Sequence, residues 1–411
     1  ARELDRLTSG DRHPIFGMPV LLKDNIGAEG MNTTAGAIAL KENETNDAFI
    51  VKQLKKNKAL ILGKVNLSEW AYYMCNGCPL GYSAIGGQTL NPYGRRVFET
   101  GGSSAGSGTA VAANYAVAAV GTETSGSILS PSSLNSVVGL KPTIGLLSRT
   151  GIVPISSTLD TPGPMTKNVV DNAILLSAMT GKDAADKKSV STTEDFVGAV
   201  NDSGSLKGKR LGVFKDLLET DSIYLKTANK LRDLGAEIIE FTKLEVSMDG
   251  FLTLLNIDMK NDLPEYLNAH VQNKEEISMR SLKEIVEFNL ADSLLRVPYG
   301  QSIFDSILKD STSLDELQLI KNRLQENGRL FFDTPMDKHQ LDAILSINNY
   351  HAAFAAVAKY PALTVPMGSK ETGEPISLTF ISKQFQESEL LKLGHAFESA
   401  TKIRKPPTMY K

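Results

Sequence analysis

Two glycine-rich turns crowd serines into one stretch of the sequence. Residues Gly101–Pro142 read GGSSAGSGTAVAANYAVAAVGTETSGSILSPSSLNSVVGLKP, with Ser103, Ser104 and Ser107 in the first turn and Ser125, Ser127 and Ser130 in the second. Glycines gather where a backbone bends sharply or approaches something closely. Two such turns around a run of small apolar residues, Thr109 to Val120, predict that the turns meet at one site. A serine hydroxyl needs a base before it can attack a carbonyl. Histidine is the usual one, yet none lies near either turn in sequence. One pattern fits a nucleophile elbow: Gly102-Ser103-Ser104-Ala105-Gly106 is G-x-S-x-G, with Ser104 central and His351 or His395 following in the right chain order. That pattern is weak in a segment so rich in Gly and Ser, and no clear hydrophobic strand runs into it. A phosphate-cradling loop is weaker still, because no G-x4-G-K-[ST] occurs.

Lysine is the alternative base. Its ordinary pKa is about 10.4, so it must be held neutral to accept a proton. Burial disfavours the charged form, and lowering the pKa to about 7 costs about 4–5 kcal/mol. Lys23 follows the apolar run GMPVLL, at the C-terminal end of an expected strand, where α/β sheets place their sites. On the pattern alone, a surface pair of Lys23 with neighbouring Asp24 is equally open.

The elements that must position these groups alternate. Gly17–Leu22 and Ala59–Leu62 read as short buried strands, with a helical face at Ala48, Ile50, Val51 and Leu54 between them. Asn66 and Glu69 sit at capping-box spacing and predict a helix over NLSEW. Gly77–Tyr93 and Gly145–Pro164 read as loops. Thr109–Ala119 reads as a buried helix leading into a strand, Val137–Leu140 as a further strand, and Asn168–Met179 as an amphipathic helix. Strands are expected again at Leu341–Ile347, Pro361–Gly368 and Ile376–Ser382, and a last helix at Glu387–Ala400. The reading is an α/β fold: one domain over 1–411, whose two ends share one sheet. Its core comes from 1–182 and 340–411. Residues 183–339 are richer in charge and poorer in glycine. They are expected to form a mostly helical section that covers the core and lines the pocket. One βαβ-like unit stands within it, Arg210–Phe214, a helix near Tyr224–Leu234, and Ala236–Phe241.

Composition narrows the partners. A net charge of −3 with no basic run argues against nucleic acid and anionic membranes. No apolar run approaches the roughly 20 residues that a membrane span needs. The chain opens with neither a basic nor an apolar leader segment, so a cytoplasmic enzyme is the expectation. Cys75 and Cys78 form a C-x-x-C, but a structural zinc would need two more ligands. His13, His270, His339, His351 and His395 are scattered, and a loop thiol pair with no set role is expected. No metal or organic cofactor is implied, and the oligomeric state is left open.

Taken together, these residues resemble the amidase signature family. GMPVLLKDNI resembles its lysine block, GGSSAGSG its Gly/Ser signature and GTETSGSILSP its nucleophile block. VVGLKPT follows closely, and PALTVPMG resembles the C-terminal strand. The similarity covers residues 1 to about 182 and about 340 to the end, and it implies a single α/β domain with a large mixed, twisted sheet covered by helices on both faces and a variable section at 183–339. The resemblance implies a Ser–cis-Ser–Lys triad, with Ser127 as nucleophile, Ser103 as the bridging serine whose bond to Gly102 is cis in the family, and Lys23 as base. It implies an oxyanion hole from backbone N–H groups of Thr124, Ser125, Gly126 and Ser127. Ser104 is a candidate for orienting the site, and Asp160 and Thr161 for walling it. The sequence departs from the family at Ser125, where many members have glycine, and at Leu129, where many have arginine. Loss of that arginine fork argues against acidic amides and against the partner-dependent subunit that feeds ammonia to mischarged tRNA. The style is closer to broad-range and peptide amidases, which implies a small-molecule or peptide substrate with a neutral carboxamide. The alternatives are the Ser104 hydrolase and an amidotransferase-type subunit.

Overall fold

Among the described residues, ten of twelve strands join one mixed sheet. In chain order the strands are β1 Pro19–Lys23, β2 Leu60–Val65, β3 Tyr82–Ser83, β4 Gly87–Gln88, β5 Ala118–Glu123, β6 Val138–Lys141, β7 Thr161–Thr166, β8 Arg210–Phe214, β9 Glu237–Phe241, β10 Ala343–Ile347, β11 Ala362–Ser369 and β12 Pro375–Ile381. The sheet order is β2-β1-β5-β7-β6-β11-β12-β10-β8-β9, and β3 and β4 form a separate small hairpin. The structure, a computed structural model, describes residues 4, 12–201 and 206–408. Pairing is parallel toward both edges, in β2-β1-β5 and β10-β8-β9, and antiparallel through the middle.

Strand β1 shows why the apolar runs become central strands. Val20 and Leu22 bury into the core on one face, while Leu21 joins a smaller cluster with Val111 and Ala119 on the other. A strand covered on both faces must be apolar throughout rather than alternating. The first face is covered by the helices Phe49–Lys56, Val169–Met179 and Glu387–Thr401, and the second by Ala105–Ala112 among others. Among the described residues no helix is long and apolar enough to cross a membrane.

Several boundaries and one whole element differ from expectation. The buried helix spans Ala105–Ala112, earlier than Thr109–Ala119, because β5 claims the chain from Ala118. The loop expected to end at Pro164 contains β7. Its prolines, Pro162 and Pro164, lack N–H groups but stand two apart, so they share one side of the antiparallel ladder. The helix expected from Asn66 does not form. Glu69–Tyr72 is a distorted 3-10 turn with left-handed φ of 50° at Trp70 and 54° at Ala71. Asn66 donates instead to Gly87 O at 3.0 Å and Thr89 Oγ1 at 2.9 Å, and the Glu69 carboxylate accepts from Ala84 N at 2.8 Å. Long-range partners have taken the groups that a local cap would use.

The βαβ unit is present as β8, the helix Ser222–Asp233 and β9. Both strands join the main sheet beside β10, so this part of 183–339 extends the core rather than covering it. The helices beyond Phe241 make a second apolar cluster instead. Leu254, Ile257 and Leu267 of the helix Phe251–His270 pack with Trp70, Val153 and Ile155 from the loops around the serine turns.

Candidate active site

The two serine turns do meet. Ser104 N donates to Ser127 O at 3.1 Å, tying the first turn directly to the second. Close packing of the intervening helix requires its small residues. A Cβ on Gly106 would stand 2.4 Å from Asn66 O, and one on Gly108 2.8 Å from Pro131 O. The Gly102–Ser103 peptide bond is cis.

Lys23 ends β1 with its side chain completely buried, as is that of Ser103. Lys23 Nζ lies 2.7 Å from Ser103 Oγ, 2.9 Å from Thr122 Oγ1 and 3.1 Å from Thr122 O. The surface pairing with Asp24 does not occur. Successive strand residues point to opposite faces, and Asp24 bonds Thr34 and pairs with Lys64 at 3.1 Å. Burial away from water lowers the Lys23 pKa from 10.5 to about 7, against the opposing fields of Asp160 and Glu123. A neutral amine has two N–H groups and one lone pair. Thr122 O and Oγ1 can take both N–H groups, which leaves the lone pair for the Ser103 hydroxyl.

Ser127 is partly exposed, unlike Ser103. Its turn is held from below by Glu123, whose Oε2 accepts from Ile128 N at 2.7 Å and Leu129 N at 2.9 Å. Gly126 has a left-handed φ of 94°, which a side chain rarely adopts. The N–H groups of Ser125, Gly126 and Ser127 donate to no protein acceptor among the described residues. They are therefore available to an oxygen placed in the turn.

Ser104 is a brace. Its buried hydroxyl donates to Thr122 O at 3.0 Å and accepts from Thr122 N at 3.2 Å. Its expected histidines are engaged elsewhere: His351 Nδ1 is 2.6 Å from Ser346 Oγ, and its ring stacks on Phe214. His395 Nε2 lies 3.4 Å from Ser399 Oγ. The G-x-S-x-G geometry is therefore not assembled.

Asp160 and Thr161 line a small pocket with Asn25, Ala71, Thr122 and Thr124. The Asp160 carboxylate accepts from Thr124 Oγ1 at 2.5 Å, Ile155 N at 2.8 Å and Ser156 N at 2.9 Å, which locks the loop onto the second turn. This pocket shares Arg149, Ile152 and Asp160 with a larger cleft of about 500 Å³. Arg149 is consumed by an ion pair with Asp186, and its Nε donates to Asp186 Oδ2 at 2.8 Å. Cys75 and Cys78 are joined as a disulfide with Cα atoms 5.8 Å apart. They line a separate cavity with Glu69, Tyr82 and Tyr299.

Sequence reasoning missed Thr122, Asn25 and Glu123. Asn25 Nδ2 donates to Thr122 Oγ1 at 3.0 Å. All three lie inside the lysine and nucleophile blocks, so position was a signal even though residue type was not.

Known proteins resemble this chain over nearly its whole length. A solved amidase family protein from Bacillus anthracis str. Ames is 40% identical, with a TM-score of 0.95 over 99% of this chain and 82% of that one. The native peptide amidase from Stenotrophomonas maltophilia is 36% identical, with a TM-score of 0.90 over 100% and 87%. A glutamyl-tRNA(Gln) amidotransferase subunit from Gluconobacter oxydans is 30% identical over 99% of this chain and 87% of its own length. The family model described as Amidase matches residues 1–355, and this chain belongs to the amidase family, hydrolases acting on amide C–N bonds.

Proposed function

We propose that the chain is a serine amidase that hydrolyses a neutral carboxamide through an acyl-enzyme, with Ser127 as nucleophile, Ser103 as relay and Lys23 as base. The observation that carries the reading is the fully buried contact of 2.7 Å between Lys23 Nζ and Ser103 Oγ. Neutral Lys23 accepts the Ser103 proton as Ser103 Oγ takes the proton of Ser127. Ser127 Oγ attacks the carbonyl carbon, and the oxygen that gains charge is met by N–H groups of the turn Thr124–Ser127. Such donors are worth about 3–4 kcal/mol each in acyl transfer. Ser103 then gives a proton to the leaving nitrogen and is reprotonated from Lys23. Water enters, loses a proton along the same relay and releases the acid from Ser127.

Two positions support a neutral substrate, although Lys187 and Lys188 also line the larger cleft, beside Asp262 and Glu265. Leu129 stands where many members carry arginine, and Arg149 is already neutralised by Asp186. The likeness to a peptide amidase supports C-terminal carboxamides of peptides among the substrates. The amidotransferase relatives favour a second reading, a subunit that works only with partners.

One experiment separates them. The purified chain alone is given short aliphatic amides, aryl amides and peptide amides, and ammonia or amine is measured. Release is expected without any partner, and Ser127→Ala should lower kcat by at least about 10^4-fold. If Ser104→Ala is inactive while Ser127→Ala retains more than a few per cent, the assignment of the nucleophile is wrong. Silence of the isolated chain toward every amide would favour the partner-dependent reading.

A further inference from the structure

Asn349 stands over the serine turn with its side chain uncommitted. It lies in the connection from β10 to the helix Ala352–Ala358, at the C-terminal end of a strand that is parallel to β8. Its neighbour Asn348 is structural. Asn348 is buried, its Oδ1 accepts from Ser377 N at 2.9 Å and its N donates to Ser377 O at 3.0 Å. These bonds pin the connection to β12. Asn349 contributes its backbone to the fold, since its carbonyl accepts from Ala352 N at 3.0 Å. Its side-chain amide makes no hydrogen bond among the described residues, and the residue is only half-buried.

The end of that side chain lies on the Cβ side of Gly126 in the nucleophile turn. A Cβ added to Gly126 would meet Asn349 Nδ2 at 3.0 Å and Asn349 Cβ at 3.4 Å. Gly126 lies between Ser125 and Ser127, whose N–H groups are also uncommitted. A carboxamide side chain therefore lies beside the residue that separates these two N–H groups. A planar amide offers N–H donors and a C=O acceptor side by side. Facing a second primary carboxamide, it can donate to the carbonyl and accept from the –NH2 group. An ester has no N–H to give and can make only one of the two bonds.

We propose that Asn349 is a substrate-contacting residue that pairs with the scissile carboxamide and favours primary amides over esters of the same acid. This rests on the amidase reading above. The test compares wild type with Asn349→Ala and Asn349→Gln on a primary amide and the matching methyl ester. Asn349→Ala should lose about 10- to 100-fold in kcat/KM on the amide, as expected for one or two hydrogen bonds. The loss on the ester should be several-fold smaller, with an unchanged melting temperature. Asn349→Gln should recover part of the amide rate. Equal losses on both substrates, or no loss on the amide, would overturn the proposal. A second arm does not depend on turnover. In a Ser127→Ala background, calorimetric Kd for the primary amide should weaken about tenfold when Asn349→Ala is added, and an unchanged Kd would refute the contact. If the isolated wild type turns over neither substrate, the reading of it as a self-sufficient amidase fails, while this binding arm still decides the role of Asn349.

Discussion

A base that works while buried must carry the cost of its burial, and at Lys23 both consequences are measurable. With its pKa lowered to about 7, kcat/KM should fall about tenfold per pH unit below that value and level off above it. A limb near the ordinary lysine value of about 10.4 would show that burial does not lower this pKa, and a profile flat from about pH 5 to 10 would show that the amine is not the base. The same shift affects stability. Between about pH 7 and 10 the native amine is neutral while the unfolded one is protonated. The unfolded chain therefore binds more protons, and this group makes stability rise with pH by about 1.36 kcal/mol per unit. Lys23→Met removes the titration and should abolish activity. Its unfolding free energy relative to wild type should be most favourable near pH 7 and lose that advantage toward pH 10, read from denaturant melts at each pH. Residue chemistry was partly legible. The residue types nominated Lys23, Ser103 and Ser127 only once five blocks were read together. Thr122 was invisible because a threonine in a strand of small residues looks like packing.

At the level of elements, the helix Ala105–Ala112 sets the distance between the turns. Gly→Ala inside a helix normally stabilises by about 0.5–1 kcal/mol through backbone entropy. Here the sign should reverse. At Gly106 the new methyl would meet Asn66 O at 2.4 Å and Asn66 N at 2.7 Å, both main chain and unable to swing away. Gly106→Ala is expected to cost about 1–3 kcal/mol in a denaturant melt, and substituting the Asn66 side chain should not restore it. Strands were easier to read than turns. β1, β8, β10, β11 and β12 each carry a run or alternation that only a sheet satisfies. The segment Asn66–Tyr72 misled because its capping pattern is local, whereas its hydrogen bonds go to residues 81–89.

Across the whole molecule, the helical section between β9 and β10 is strapped to the pocket by two carboxylates of one helix, the buried Asp258 and Asp262, which accepts from Ser157 N at 2.5 Å. Asp258 pairs with Lys321 at 2.6 Å and is only 3% exposed. It also accepts from the Ser156 hydroxyl and from Thr158 N at 3.2 Å, beside the loop that Asp160 locks onto the second turn. Asp258→Ala leaves Lys321 unpaired and removes the bonds to Ser156 Oγ and Thr158 N, while Asp160 and Asp262 still hold the loop. It should cost about 2–3 kcal/mol, at the low end for a broken buried pair because Lys321 keeps some solvent. KM should rise more than kcat falls, measured on the best amide of the panel. A loss of stability with KM unchanged would make the strap purely structural.

The α/β class was written in the chain itself, because apolar runs and amphipathic stretches alternate in ways that no other architecture buries. The three residues on which the chemistry is proposed to rest were nominated by the resemblance of their blocks to a family, since the residue pattern alone left Lys23 open to a surface pair with Asp24. What surrounds them had to wait for the packed molecule. Lys23 lies 80 residues from Ser103 and 99 from Thr122, and its pKa depends on the water excluded by all of them together. Asn349 meets Gly126 across more than half of the chain. Burial and long-range hydrogen bonds arise only when distant segments pack, and no local pattern of residues encodes them.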